Sequence, residues 1–138
     1  MSASPIKLLL EALDRLDAEA ALSMLAPDCR LLTADGRRAH GVSAAGALLR
    51  DFLGALRSTS HRITSEWHVD DVWIAEVEAS YQLEDWLELG ALPRAFVLRG
   101  GPDGIEDLRV YGAHEHPLTE HHTGEEGMWV GGRWIPPL

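Results

Sequence analysis

The sequence predicts an α+β domain, a curved and mostly antiparallel sheet wrapped around N-terminal helices, with a hairpin in the C-terminal tail. Three observations predict it. Between His61 and His114, Ile63–Val69 and Val72–Leu83 alternate in character and meet at Asp70-Asp71. A second pair, Ala95–Arg99 and Ile105–Ala113, is joined through Gly100-Gly101-Pro102-Asp103-Gly104. Period-two alternation bounded by Gly, Pro and Asp is the pattern of antiparallel hairpins. Ahead of these strands, apolar residues recur at helical spacing. Beyond Tyr111 the periodicity stops. At 138 residues the chain suits one domain with a sizeable core, read as residues 1–113 followed by an extension, 114–138.

The first helix is expected to start at Ser4-Pro5, a capping hydroxyl followed by a residue that needs no amide hydrogen in the first turn. Ile6, Leu9, Leu10, Leu13 and Leu16 then form one apolar stripe. Asp17 is placed to cap a second helix, Ala18–Leu25, which Pro27 would end. Cys29–Ala34 is expected as a strand, Asp35-Gly36 as a turn, and Arg37–His40 as a short return strand ended by Gly41. Ala45, Leu48, Leu49, Phe52, Leu53 and Leu56 share a face of the third helix, which should lie against the sheet. Glu84–Pro93 is too irregular to assign, and Gly112–Gly127 reads as a loop or linker. Met128–Val130 and Arg133–Ile135 flank Gly131-Gly132, a pair that permits the positive φ angles of a two-residue hairpin turn. Burying Trp129 and Trp134 would each contribute on the order of 2–3 kcal/mol. The tail is therefore expected to dock, over the pocket mouth or on a partner subunit.

Composition excludes several classes of function. A net charge of −10, a pI near 5.0 and a single lysine, Lys7, argue against nucleic acid and anionic membranes, because phosphate binding needs clustered cations. The lone Cys29 rules out an intramolecular disulfide and is compatible with a reducing compartment. No apolar run approaches the ~18 residues of a membrane span. The N-terminus lacks the pattern of a secretion signal. A soluble, cytoplasmic protein is expected.

The order of these elements resembles a known family. Two N-terminal helices, the segment MLAPDCRLLTADG, Gly41 before an apolar helix, and a hairpin-rich sheet closing with DGIEDLRVYG are similar to the NTF2-like superfamily, with the SnoaL-like branch nearest. The resemblance covers roughly Ile6 to Ala113. It implies a cone-shaped α+β fold, commonly homodimeric, with a pocket between the concave sheet and the helices. Members include steroid isomerases, epoxide hydrolases, polyketide cyclases, dehydratases and proteins without known activity. The isomerase uses an Asp base with a Tyr and a protonated Asp as donors. Those two Asp positions fall at Thr33 and near Arg94 here, and neither residue can do that chemistry. The aspartate of hydrolase and cyclase relatives falls at Ala113.

Asp107, Arg109 and Tyr111 alternate along the last strand and so point to one face. The resemblance makes that face the pocket wall, where an Asp held ionised by Arg could accept a proton. The competing reading is an ion pair on a solvated face, since periodicity alone assigns Leu108 and Val110 to the core. Packing of Leu108 and Val110 in a dimer interface would remove the conflict. His61 lies close to where dehydratase relatives place an acid–base histidine, and its ordinary pKa suits proton transfer; a structural role is the alternative. Trp73 and Tyr81 are candidate pocket walls among small apolar neighbours, with Trp67 as a further ligand contact, although ordinary core would give the same pattern. His114, Glu115, His116, Glu120, His121 and His122 match no closed metal site, and a solvated linker is expected there.

The sequence thus predicts a SnoaL-like protein with a pocket for a small apolar organic molecule, as a homodimer, without metal or cofactor. Binding without chemistry is slightly favoured, because the familiar acidic positions carry Thr33, Arg94 and Ala113. The alternative is a cofactor-free acid–base enzyme of lyase, isomerase or cyclase type, with Asp107, Arg109 and His61 catalytic.

Overall fold

The computed structural model describes residues 4–83, 87–112, 128–130 and 133–135. Helix α1, Pro5–Asp14, starts where its cap predicts: Ser4 is extended and its hydroxyl accepts the Lys7 amide at 3.2 Å. Its stripe buries Ile6, Leu9, Leu10, Ala12 and Leu13 against β3 and β4. Asp17 caps α2, Ala18–Leu22, by accepting the Ala20 amide at 3.0 Å. The second long helix, α3, Val42–Gly54, follows Gly41, whose φ of 93° suits glycine. It packs on β1, β2 and β3.

Six strands form one sheet in the order β2-β1-β6-β5-β4-β3. They are β1 Leu25–Leu32, β2 Arg38–His40, β3 Leu56–Val69, β4 Val72–Leu83, β5 Glu88–Gly101 and β6 Gly104–Gly112. Only β1 and β6 run parallel; every other neighbouring pair is antiparallel. Register shifts interrupt each long pairing, between Ile63 and Ser65, between Ala79 and Tyr81, and between Arg99 and Gly100. Such bulges bend strands and increase twist, which gives a long sheet the curvature to wrap α1 and α3.

Several element boundaries differ from those expected: β1 starts at Leu25 rather than Cys29, and Leu56, expected on the third helix, lies beyond its end at Gly54. Helix α2 stops at Leu22, and Pro27 lies inside β1 rather than ending a helix. Pro27 is exposed, and the β1–β6 register slips between Leu25 and Arg30, so its missing amide hydrogen interrupts no regular ladder. Strand β3 begins at Leu56 rather than Ile63, so His61 lies inside a strand. Strand β5 begins at Glu88, taking in most of the stretch expected to be irregular; Ala91, at φ 56°, breaks the alternation that would have revealed it.

In the tail, β7 (Met128–Val130) and β8 (Arg133–Ile135) pair antiparallel with Trp129 opposite Trp134, as a separate two-stranded sheet. The His-rich stretch and Ala113, and with them the expected docking of the tail, lie outside the described residues. Among the described residues no helix is long and apolar enough to cross a membrane.

Candidate functional site

Between α1, α3 and the inner face of the sheet lies a cavity of about 70 Å3. Its walls are mostly apolar. Leu9 and Leu13 come from α1, Leu48, Leu49 and Phe52 from α3, and Phe96, Leu108 and Val110 from the sheet. The same period-two alternation that builds the core aims these strand residues inward. A few polar groups interrupt the apolar lining: His61, Tyr81 and Arg94 inside, and Thr33 and Arg37 from the β1–β2 connection.

His61 is held firmly. Its side chain is 2% exposed, and Nδ1 lies 2.6 Å from Oδ1 of Asp14, the last residue of α1. The backbone amide of His61 also donates to Asp14 Oδ2, at 3.3 Å. One carboxylate therefore grips both the ring and the strand that carries it. The carboxylate accepts from Nδ1–H, which leaves Nε2 as the unprotonated nitrogen of the neutral ring. Tyr81 and Phe96 meet the imidazole edge-on, with centroids 6.2 Å and 6.0 Å away. Burial is the main influence on this group and pushes the His61 pKa below its ordinary value of 6.5; Asp14 opposes the shift and the Arg94 charge reinforces it. Its partner Asp14 is one-third exposed and lines an outer groove with Lys7, Glu11 and Arg62.

Tyr81 is buried, and Phe52 packs edge-on against it at 5.6 Å. Burial raises its phenol pKa, so Tyr81 stays a hydroxyl donor, while nearby Arg94 works in the opposite direction. Arg94 itself is 3% exposed. Its Nη1 donates to the Pro93 carbonyl at 2.8 Å, and the Tyr81 hydroxyl is a further neutral neighbour. Nε and Nη2 are buried and have no hydrogen-bond partner among the described residues. At the mouth, Arg37 Nε donates to Asp35 Oδ2 at 2.9 Å, and the Thr33 hydroxyl donates to Oδ1 of the same carboxylate.

The site residues read from the sequence divide into two sets. His61 and Tyr81 come together in the cavity. Asp107, Arg109 and Tyr111 do not: they lie on the opposite face of β6, where Arg109 Nε donates to Asp107 Oδ1 at 3.0 Å beside Arg30 and Arg38. Arg109 is 52% exposed in its side chain, and Tyr111 is exposed. Leu108 and Val110 take the inner face, so periodicity identifies the wall correctly and the resemblance assigned it to the wrong face. Leu108 is buried within the single chain and needs no dimer interface to cover it. Trp73 is on the inner side but stacks on His68 at 3.5 Å, beyond the cavity, and Trp67 is half-exposed on the outer side.

The sequence pattern does not single out Asp14 or Arg37, and Arg94 stands in it only at a position where isomerase relatives place an acid. Arg94 had a visible signal, since Arg94, Phe96 and Leu98 share one strand face and the other two are plainly core. Asp14 had none: nothing local ties it to a histidine far along the chain.

No family model and no curated protein sequence matches the chain. Solved structures do resemble it. A hypothetical protein from Catenulispora acidiphila with a ketosteroid isomerase-like fold, in complex with trimethylamine, superimposes with a TM-score of 0.75 at 15% identity, over 86% of this chain and 92% of that one. The fold is NTF2-like, as in solved proteins that carry that description. A putative SnoaL-like polyketide cyclase from Shewanella denitrificans gives 0.70 at 10% identity, covering 80% of this chain and 88% of its own. An LEH-like epoxide hydrolase from M. tuberculosis gives 0.68 at 17% identity, covering 79% and 80%. At these identities the NTF2-like likeness concerns architecture, and activity must be argued from the cavity itself.

Proposed function

We propose that the protein is a cofactor-free acid–base enzyme, of lyase or isomerase type, acting on a small organic molecule held in the cavity. The observation that supports this reading is the buried His61 ring, held by the partly exposed Asp14 and opening onto an apolar wall. His61 is the base, with Nε2 taking a proton from a carbon next to the substrate's carbonyl group. The electron pair left behind moves to the carbonyl oxygen, and Tyr81 and Arg94 are polar groups lining the same cavity. Asp14 fixes the tautomer and stabilises the imidazolium that forms. Return of the proton to a different carbon completes an isomerisation; loss of a leaving group from the neighbouring carbon completes an elimination. A neutral, desolvated histidine at neutral pH fits this role, because an effective base must be unprotonated under working conditions.

Binding without chemistry is supported by Thr33 and Arg94, which stand where isomerase relatives place acids. Deuterium exchange separates the two readings. A panel of small ketones in D2O should show exchange of the α-hydrogens with the wild-type protein. His61→Gln should slow this by roughly a hundredfold or more, the usual contribution of a positioned base. Ligands that bind without exchanging would favour the binding role.

We propose a homodimer as the working assembly. Trp67, Val69 and Ile74 are large exposed hydrophobics close together on the β3–β4 hairpin, since Trp67 pairs directly with Ile74 and Val69 with Val72. Sedimentation equilibrium should give twice the chain mass, and Trp67→Glu should reduce it toward one.

A further inference from the structure

We infer that the natural ligand is a small organic anion with an apolar body, and that Arg94 binds its carboxylate or similar anionic oxygen group. The inference rests on the reading that the cavity holds a small ligand and adds the ligand's charge. Arg94 is 3% exposed, and two of its nitrogens have no partner among the described residues. Its known neighbours, the Pro93 carbonyl and the Tyr81 hydroxyl, are neutral. Among the described residues no carboxylate forms an ion pair with it. A buried guanidinium without a counter-ion is costly, and a folded protein keeps one only where something compensates.

Two independent features agree with an anion as the compensating group. The first is the sign of the cavity. The chain carries a net charge of −10, yet among the described residues two arginines, Arg94 and Arg37, line the cavity and no carboxylate does. Asp14 and Asp35, which pair with His61 and Arg37, are not among its lining residues. The second is the seat made for the guanidinium. Arg94 is the register partner of Gly112, and a β-carbon there would fall 2.4 Å from Nη1. The absence of a side chain at position 112 leaves room for the cation to lie across the sheet. A carboxylate matches the unpartnered edge of this guanidinium, Nε and Nη2, with two parallel hydrogen bonds. The leucine and phenylalanine walls would take the apolar remainder, with His61 alongside.

Benzoate and benzamide share a shape and differ in charge, so they test the inference at pH 7 by calorimetric titration of the intact protein. The expected result is benzoate binding tighter by roughly ten- to a hundredfold, the range of a charge-assisted pair. Arg94→Met should remove that preference while retaining benzamide, and should raise the melting temperature, because an unpaired buried charge is replaced by an apolar side chain of similar length. Equal binding of the two probes, or tighter binding of benzamide, would overturn the anion site while leaving the small-ligand cavity standing. No binding of either would overturn both. A lowered melting temperature in Arg94→Met would also count against the inference, since it would mean the guanidinium is already satisfied within the protein.

Discussion

A β-carbon at Gly112 would meet Arg94 at three atoms, all closer than 3.0 Å. Gly112→Ala should therefore cost about 1–3 kcal/mol, the usual range for overpacking, measured by urea unfolding. A stability equal to wild type would mean that the arginine moves freely out of its seat. The same scale shows how far single residues were legible in the sequence. Tyr81 was, because its strand alternates without interruption from Val72 to Leu83. Leu108 and Val110 were as well, because their apolar character marks the inner face of β6. The His61–Asp14 contact was not, because it joins residues 47 positions apart and depends on where α1 docks. A carboxylate one residue past Leu13 looks like any other polar edge of an amphipathic helix.

Elements with strict periodicity are predictable from sequence, and bulged ones are less so. Helix α1, strand β4 and the Gly36 turn lie essentially where the pattern puts them. Strands β3 and β5 extend further at their early ends than the pattern suggests, because register shifts and Ala91 interrupt the alternation there. Those irregular parts also shape the site, since bending the sheet leaves a cavity under the helices. Helix α1 has two tasks here, covering the core with its stripe and presenting Asp14 at its end. Ile6 is fully buried at the first turn and away from the cavity wall. Ile6→Ala should cost about 2–5 kcal/mol, as large-to-small core changes do. By loosening α1 it should also weaken the grip on His61. A full loss of stability with unchanged His61 titration would show that Asp14 is positioned independently of the helix.

For the molecule as a whole, the buried histidine makes stability depend on pH. The folded pKa of His61 lies below 6.5, so between that value and 6.5 the unfolded chain binds more protons than the folded one. The stability conferred by neutral His61 is complete above pH 6.5 and is lost as pH falls through the folded value. Urea unfolding at pH 7.5 and pH 5.5 should show a decrease that is smaller in His61→Gln. The fold, α+β with an inner cavity, follows from alternation and helical spacing, whereas the chemistry of the cavity needs groups that only the assembled sheet and helices bring together. Long-range 1H–15N NMR of the His61 ring across pH tests directly whether Asp14 holds a neutral imidazole ready to act as a base. A neutral ring at pH 7 with hydrogen on Nδ1 is expected, with a pKa below 6.5 and a further fall in Asp14→Asn, because the interactions that raise it are lost. An imidazolium at pH 7, or a pKa that Asp14→Asn leaves unmoved, would contradict that arrangement.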